Sequence, residues 1–223
     1  MTNPQLKRAY FLYGSEKKLI FYVDVFNFYF GLRSNNWRKF YWLDIVKFCK
    51  LFLKSHQELI EVNYFSAVQK NKTKAYRQDL FFSANKTNPK FNLHLGKFIE
   101  KILKFNGQEF KTFEEKQTDV HIAVKMIRDV VLEKCDISVI ISADSDITPP
   151  IDFIREYNPK HKIYVYFPPN RFSYDLKQKA DCSLPLQNHI QKFEISQFPS
   201  EIELKNGYNL FVLINGNNHN CNQ

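Results

Sequence analysis

The chain has 223 residues and a formal net charge of +9, and hydrophobic residues make up 44% of it. This hydrophobic content excludes a wholly disordered chain, and the length suits one large domain. The excess of Lys and Arg favours a polyanionic partner, either nucleic acid or an acidic membrane surface.

The cysteines and the apolar runs narrow the class further. The four cysteines lie apart without zinc-ligand spacing, so a structural zinc is not expected and a reducing cytosol fits best. The apolar run over residues 19–30 is too short to span a bilayer and contains Asp24 and Asn27. Residues 1–18 are basic but lack the apolar core of a signal peptide. We therefore expect a cytoplasmic protein that makes no contact with a membrane.

The first part of the chain predicts alternating strands and helices. The stretch "LIFYVDVF", residues 19–26, is a continuous apolar run typical of a strand buried on both faces of a parallel sheet. Apolar residues recur at helical spacing over 42–54. A second strand is predicted over 59–68 and a second helix over 72–87.

The alternation resumes after an extended stretch. Residues 91–113 are predicted to be extended, with a turn at Asn106-Gly107. Residues 118–134 form a strongly amphipathic pattern, and Thr118 or Asp119 is predicted to cap the start of this helix. The elements that follow are a strand at 138–143, a helix at 147–157, a strand at 162–167, a helix at 173–179 and a strand at 182–186.

This alternation predicts an α/β fold, with a Rossmann-like parallel sheet and helices on both of its faces. We assign one domain to residues 19–192, preceded by a basic lead-in over 1–18. Residues 193–223 lose the alternation. They are predicted to form a segment docked on the surface, followed by a frayed tail.

Acidic residues stand where two of the predicted strands end. Asp24 ends the first strand, with Asn27 just behind it, and Asp144 and Asp146 follow the strand at 138–143. Ligands of open parallel sheets bind beyond the carboxyl ends of the strands. Since alternate residues of an extended chain point the same way, we expect Asp144 and Asp146 to face one locus. Asp119 opens the helix that leads into their strand and is expected at the same edge.

Carboxylates that lie close together repel one another unless a cation lies between them. Oxygen ligands without Cys or His indicate a hard divalent ion, Mg²⁺ or Mn²⁺. In a basic protein such a site suits phosphodiester chemistry. Some of these residues have simpler interpretations: Asp119 and Asp146 also suit helix capping, and Asn27 suits an Asx turn. Ser142 either orients Asp144 through its hydroxyl group or is an ordinary strand serine.

At these residues the sequence resembles the NYN branch of the PIN-like nucleases. The stretch "YVDVFNFYFGL" resembles the first strand of that family with its D-x-x-N motif, and "EEKQTDVHIAVKMI" resembles its K-x-x-D helix start. "ISADSDITPPI" resembles its S-x-D-S-D strand end, and "FSYDLKQKADCSLPL" resembles its closing L-x-x-x-A-D stretch. The resemblance covers about residues 19–190, and the motifs share both order and spacing with the family.

The resemblance implies a PIN-like sheet with an acidic metal site at its carboxyl edge and a metal-dependent ribonuclease activity. The implied metal ligands, direct or through water, are Asp24, Asp119, Asp144 and Asp146. Asn27 is implied to position a phosphate or a metal-bound water, which completes the predicted catalytic set. Lys116 matches the motif lysine, and an ordinary solvated lysine is the alternative.

The sequence departs from the family pattern at Lys125, where many members carry another Asp. A lysine that points inward there would weaken a second metal site. On a helical wheel Lys125 lies off the face of Asp119, which is typical of a solvated side chain. We therefore predict one metal ion and leave the second open. Asp181 matches the closing motif but is assigned a structural role.

The implied partner is RNA, single-stranded or structured, and a homo-oligomer is compatible with the sequence. The basic residues that we expect to contact RNA are Lys72, Lys74, Arg77 and Arg171. Two alternatives stay open. One is a catalytically inactive module that keeps the fold and binds RNA or a partner protein. The other is a haloacid-dehalogenase-like phosphatase, because "DSDIT" fits its D-x-D-x-T motif, although that motif normally follows the first strand of its fold.

Overall fold

Seven strands form one sheet in the order β4-β3-β2-β1-β5-β6-β7. The computed structural model describes residues 16–105, 108–204 and 207–211. The strands of the sheet are β1 (Lys17–Asp24), β2 (Gln57–Ala67), β3 (Phe91–Phe105), β4 (Gln108–Lys116), β5 (Ile137–Ile141), β6 (Lys162–Phe167) and β7 (Cys182–Pro185). All neighbours are parallel except β3 and β4. The predicted α/β fold is therefore confirmed.

Helices cover both faces of this sheet. The α-helices are α1 (Val25–Ser34), α2 (Ile45–Lys50), α3 (Lys72–Asn85), α4 (Thr118–Val131), α5 (Thr148–Tyr157), α6 (Tyr174–Lys179) and α7 (Ile190–Ile195). Buried side chains of α1, α2, α3 and α7 share one apolar cluster, and those of α4, α5 and α6 share another on the opposite face. Within the described residues, no helix is long and apolar enough to cross a membrane.

Strand β1 is the centre of the fold because both of its faces are buried. Leu19, Phe21 and Val23 point into one apolar cluster, and Ile20 and Tyr22 point into the other. The chain leaves β1 towards β2 and later returns to the other side of β1 as β5. The junction of β1 and β5 is thus the point where the strand order reverses, which is where open α/β sheets bind ligands.

Several predicted boundaries shift in the structure. The helix predicted over 42–54 is shortened to α2 because the side chain of Asp44 caps it, accepting a hydrogen bond from the Lys47 N–H at 2.8 Å. The helix α4 ends at Val131 rather than at Lys134. Helix α1 was not predicted, since its alternating Phe residues are typical of a strand. It begins directly after Asp24, whose side chain caps it.

The extended stretch predicted at 91–113 is the strand pair β3–β4, and its predicted turn at Asn106-Gly107 lies outside the described residues. Up to Gly96, β3 pairs with β2, and from Lys97 onwards it pairs with β4. Since β2 ends at Ala67, the rest of this pair projects beyond the carboxyl edge of the sheet. The lead-in over 1–15 and the tail beyond 211 also lie outside the described residues.

The segment after residue 190 contains elements that were not predicted. Besides α7, a small hairpin pairs β8 (Glu201–Glu203) with β9 (Asn209–Phe211). Ile202 and Leu210 of this hairpin pack with Ala84 of α3 and Phe198. The two strands were missed because each is only three residues long.

Candidate metal centre

Asp24 lies at the carboxyl end of β1, and its side chain is held by three hydrogen bonds. Oδ1 accepts from the Asn27 N–H at 3.2 Å, and Oδ2 accepts from Asn27 Nδ2 and from Ser142 Oγ, each at 2.7 Å. Asn27 lies in the first turn of α1, so the hydrogen bond that caps this helix also orients the carboxylate of Asp24. Only 2% of Asp24 is exposed.

Ser142 connects the ends of β1 and β5. Besides donating to Asp24, its hydroxyl oxygen accepts a hydrogen bond from the Asp144 N–H at 3.0 Å. Ser142 is fully buried. The predicted contact with Asp144 therefore exists, but through the main chain of Asp144, and the hydroxyl group orients the carboxylate of Asp24 instead.

Asp119 reaches the same place from α4. The N-cap position of this helix is Gln117, whose backbone is left-handed with a φ of 81° and whose side chain makes no capping hydrogen bond. The expectation that Thr118 or Asp119 caps the helix is therefore wrong. Carboxylate oxygens of Asp24, Asp119 and Asp144 lie within 4.8 Å of one another. We call these three residues the acidic cluster.

The acidic cluster combines burial with like charges. Burial raises the pKa of Asp24, and the nearby charge of Asp144 adds to this, whereas the hydrogen bonds from Ser142 and Asn27 oppose it. A bound cation would relieve both effects by favouring the ionised carboxylates. Three carboxylates without Cys or His fit Mg²⁺ or Mn²⁺. The set therefore suits a divalent metal ion.

Asp146 lies beside the acidic cluster but is not one of its three members. The chain does not stay extended after β5: residues Ser145–Ile147 form a turn of 3₁₀-helix, and the Asp146 N–H donates to Asp144 Oδ1 at 3.0 Å. The extended conformation from which we expected Asp144 and Asp146 to face one locus is therefore not present at Asp146. Asp146 is exposed, and its role as a ligand through water stays a prediction.

The basic residues expected to contact RNA are all exposed, on two segments at the carboxyl edge of the sheet. Lys72, Lys74 and Arg77 lie in the first half of α3, which follows the end of β2. Arg171 lies in the loop after β6. Lys116 is the last residue of β4 and is exposed. These segments are on either side of the acidic cluster, because β1 and β5 lie between β2 and β6.

Lys125 is neither solvated nor part of the acidic cluster. Its Nζ contacts Glu61 Oε1 at 2.5 Å and both carboxylate oxygens of Asp129 at 2.6 and 2.7 Å. Asp129 is fully buried and also accepts a hydrogen bond from the Tyr22 hydroxyl group at 3.0 Å. The prediction of a solvated Lys125 is wrong, because its ammonium group is paired with Glu61 of β2 and with Asp129, four residues further along α4.

Sequence reasoning did not single out Glu61 or Asp129. Two signals were available: Glu61 is an acid in the interior of a predicted strand, and Asp129 is an acid four residues after Lys125. Asp181, in contrast, has the expected structural role. It pairs with Arg155 and Lys162 and accepts a hydrogen bond from the Ile163 N–H at 2.9 Å.

An α/β sheet with an acidic cluster at its switch point defines a Rossmann-like protein with a candidate metal centre. The model of the NYN domain family matches residues 18–187, and the chain belongs to this family. Its "DSDIT" motif follows β5 rather than the first strand, which removes the context that a haloacid-dehalogenase phosphatase needs.

Solved structures show similarity at the level of the fold. VPA0982, a protein of unknown function from Vibrio parahaemolyticus RIMD 2210633, is 20% identical. The match covers 78% of this chain and 94% of that one, with a TM-score of 0.54. The MnaA–UDP structure from S. aureus is 14% identical, with 82% of this chain and 43% of that chain covered and a TM-score of 0.39, too low to support an argument. No curated protein matches the chain.

Family membership and geometry point in the same direction. The NYN domain is a nuclease-like domain, and the acidic cluster of Asp24, Asp119 and Asp144 fits a metal-dependent nuclease. Metal-dependent hydrolysis of a phosphodiester bond in a nucleic acid needs a site that binds a cation beside a surface that binds a polyanion. The acidic cluster is the candidate cation site, and the exposed basic residues at the same edge of the sheet are available to bind the polyanion.

Proposed function

We propose that the protein is a metal-dependent ribonuclease that hydrolyses RNA phosphodiester bonds at the acidic cluster. The observation that carries the proposal is the convergence of three carboxylates from three separate elements, the end of β1, the start of α4 and the end of β5. Asp119 lies in the first turn of α4, and it converges there with two carboxylates from strand ends. Binding of one shared cation would explain why the three carboxylates converge.

Asp24, Asp119 and Asp144 would hold Mg²⁺ or Mn²⁺, and Asp146 would contribute through water. When bound, such an ion lowers the pKa of a coordinated water and stabilises the charge that develops on the phosphate. The residues of the chain supply the rest. Ser142 and Asn27 fix the carboxylate of Asp24, and the burial of Asp24 strengthens its interaction with a cation.

Asn27 is proposed to have a second role in positioning a phosphate or a metal-bound water. Its Nδ2 is 2.7 Å from Asp24 Oδ2, so the amide group lies against the acidic cluster. The proposed RNA contacts are Lys72, Lys74, Arg77 and Arg171, which would hold the phosphates on both sides of the cleaved bond. RNA as the substrate rests on the family resemblance. A cytoplasmic location, expected from the cysteine usage, is part of the same proposal.

A second candidate is an inactive RNA-binding or partner-binding module. The observation that favours it is that the two carboxylate oxygens of Asp24 already accept three hydrogen bonds from the chain itself. A carboxylate satisfied in this way is stable without a metal ion. This candidate predicts affinity for RNA without cleavage in any metal.

One experiment separates the two candidates. The protein is incubated with structured and with unstructured RNA, with Mg²⁺, with Mn²⁺ or with a chelator, and wild type is compared with Asp144→Asn. Asp152→Asn is the matched control, because Asp152 is an exposed aspartate on α5 whose partner is Lys179. The nuclease proposal requires cleavage that depends on metal, is lost in Asp144→Asn and persists in Asp152→Asn. Cleavage that survives in Asp144→Asn, or binding without any cleavage, would refute it.

A further inference from the structure

An exposed aromatic ring lies one strand away from the acidic cluster. Phe172 is in the loop after β6 and is 59% exposed. Its ring rests against Phe167, the last residue of β6, with ring centroids 4.8 Å apart. Because β6 is the neighbour of β5, with Tyr166 opposite Ile141 in the register, Phe167 at the end of β6 lies beside Ser142, the residue that follows β5. Phe172 is therefore at the edge of the sheet that carries Asp144.

The loop that carries Phe172 is rigidly held. Pro168 and Pro169 are buried. The Arg171 N–H donates to the Pro168 carbonyl oxygen at 3.0 Å, which closes a turn. Asn170 bonds to Asn35 Oδ1 at 2.9 Å and to Gln187 Oε1 at 3.1 Å. A ring presented on a fixed loop loses little conformational entropy when it binds a ligand.

A positive charge lies beside the ring, and a second basic residue precedes it in the sequence. Lys177 Nζ is 5.8 Å from the centroid of Phe172, and Arg171 is the preceding, exposed residue. The other charged residues of α6 add no further free positive charge, because Asp175 is acidic and Lys179 is paired with Asp152. The surface around Phe172 thus combines an apolar face with two basic side chains. This combination is complementary to a stacked base and its neighbouring phosphates.

We propose that Phe172, flanked by Arg171 and Lys177, is a base-stacking subsite for single-stranded RNA. The inference rests on the proposed function and refines it, because stacking on an exposed ring needs an unpaired base. Helix α6 packs against the turn at Ser145–Ile147, so a base on Phe172 would lie a short distance along the strand from the phosphate at the acidic cluster. Double-stranded RNA hides its base faces and gains nothing from the ring.

The test measures binding without cleavage. Affinity is measured without divalent ions, in the Asp144→Asn background, for an end-labelled oligo(A), for an abasic strand of the same length and for an RNA duplex. Phe172→Ala should weaken oligo(A) binding by roughly 5- to 150-fold, the value of one stacked base. The abasic strand and the duplex should bind as before. Phe172→Trp should restore oligo(A) binding.

Two further variants separate stacking from folding. Phe172→Leu keeps an apolar side chain against Phe167 but removes the aromatic face, and it should lose binding as Phe172→Ala does. Tyr157→Ala is the matched control. Tyr157 is 54% exposed and stacks against Phe153, but it ends α5 and so lies at the opposite edge of the sheet. Its loss should leave oligo(A) affinity unchanged.

The outcomes also distinguish this inference from the proposed function. An affinity for oligo(A) that does not depend on Phe172, an equal loss for the abasic strand, or no binding of oligo(A) by the parent variant would overturn the stacking subsite. Wild-type cleavage would then still stand as evidence for the nuclease. Conversely, stacking that depends on Phe172 in a protein that cleaves no RNA would support the subsite and refute the nuclease.

Discussion

The hydroxyl group of Ser142 donates a hydrogen bond to the carboxylate of Asp24 at 2.7 Å, across 118 residues of sequence. This contact joins the carboxyl ends of β1 and β5 at the point where the strand order reverses. Since the same oxygen accepts from the Asp144 N–H, one buried serine sets the spacing of two members of the acidic cluster. The geometry of the proposed metal centre therefore depends on a residue that is not a ligand.

Ser142→Ala should weaken metal binding by roughly 10- to 100-fold, the effect typical of removing a group that orients a ligand. The measurement is the rise in melting temperature during a Mn²⁺ titration. Ser138→Ala is the matched control, because Ser138 is another buried serine of β5, bonded to His161 Nε2 at 2.9 Å. Both variants should lose about 1 kcal/mol of stability. Equal metal affinity in the two variants would contradict the role of Ser142.

Gly31→Ala should destabilise the protein by about 1 kcal/mol. A Cβ atom at residue 31 would lie 2.8 Å from Pro168 Cβ and 2.8 Å from the Pro169 carbonyl oxygen. Overpacking of this kind costs about 1–3 kcal/mol, which exceeds the gain of roughly 0.5–1 kcal/mol from placing alanine in a helix. Urea unfolding measures the difference. Arg33→Ala, on the exposed side of α1, should stay within about 0.5 kcal/mol of wild type. A stabilised Gly31→Ala variant would show that α1 does not contact the loop after β6 at Pro168 and Pro169.

Lys125→Met should destabilise the protein by about 3–5 kcal/mol, because it leaves the buried carboxylate of Asp129 without its closest cation. Lys134→Met is the control. Lys134 contacts the same Asp129 at 3.4 Å but is 41% exposed, so its loss should cost less than about 1 kcal/mol. Urea unfolding separates the two values. A folded Lys125→Met variant should retain the metal affinity of wild type, and a large loss of affinity would place Lys125 at the metal centre.

Asp181→Asn tests how much the ion pairs of Asp181 with Arg155 and Lys162 contribute to stability, because this contribution depends on pH. Partial burial alone would raise the pKa of Asp181, but the Ile163 N–H, Lys162 and Arg155 together lower it from 3.8 to about 2. A lowered pKa in the folded state means that the stabilisation is present above the unfolded value and is lost as the pH falls towards about 2.

We expect the free energy of unfolding to fall by about 1 kcal/mol in Asp181→Asn at neutral pH, allowing for screening by solvent. The difference from wild type should shrink as the pH is lowered below about 4. Urea titrations at a series of pH values provide the measurement. A difference that stays constant down to the lowest pH at which the protein is folded would contradict the assignment.

The sequence was most informative where burial and charge conflict. An aspartate in the apolar run of β1 is costly to bury without a purpose, so Asp24 could be identified from the sequence, and the rule about strand ends pointed to Asp144 as well. Asp119 was expected at the same edge because its helix leads into β5, but its role as a metal ligand depended on the family resemblance, since a carboxylate in the first turn of a helix is also a common capping feature. Its convergence with the other two carboxylates became visible only in the structure.

Other features needed tertiary information. The strand order, with β5 beside β1, is not encoded in any local pattern. Helix α1 was missed because its alternating Phe26, Phe28 and Phe30 mimic a strand, whereas the cap from Asp24 starts a helix. The contact of Lys125 with Glu61 was missed because a helical wheel gives the direction of a side chain but not the residues of the strand that it meets, whereas Asp129 lies at i+4 on the same helix and was overlooked. The extended conformation expected at Asp146 was wrong because a 3₁₀ turn follows Asp144.

The central claim is that Asp24, Asp119 and Asp144 bind one divalent cation. The most direct measurement is anomalous diffraction from crystals of the wild-type protein grown with Mn²⁺, compared with crystals of Asp144→Asn. The account predicts an anomalous peak between the three carboxylates, at a distance of about 2.0–2.3 Å from their nearest oxygens. This peak should be absent from the variant. Wild-type crystals without a peak among these carboxylates, or with Mn²⁺ bound elsewhere only, would contradict it.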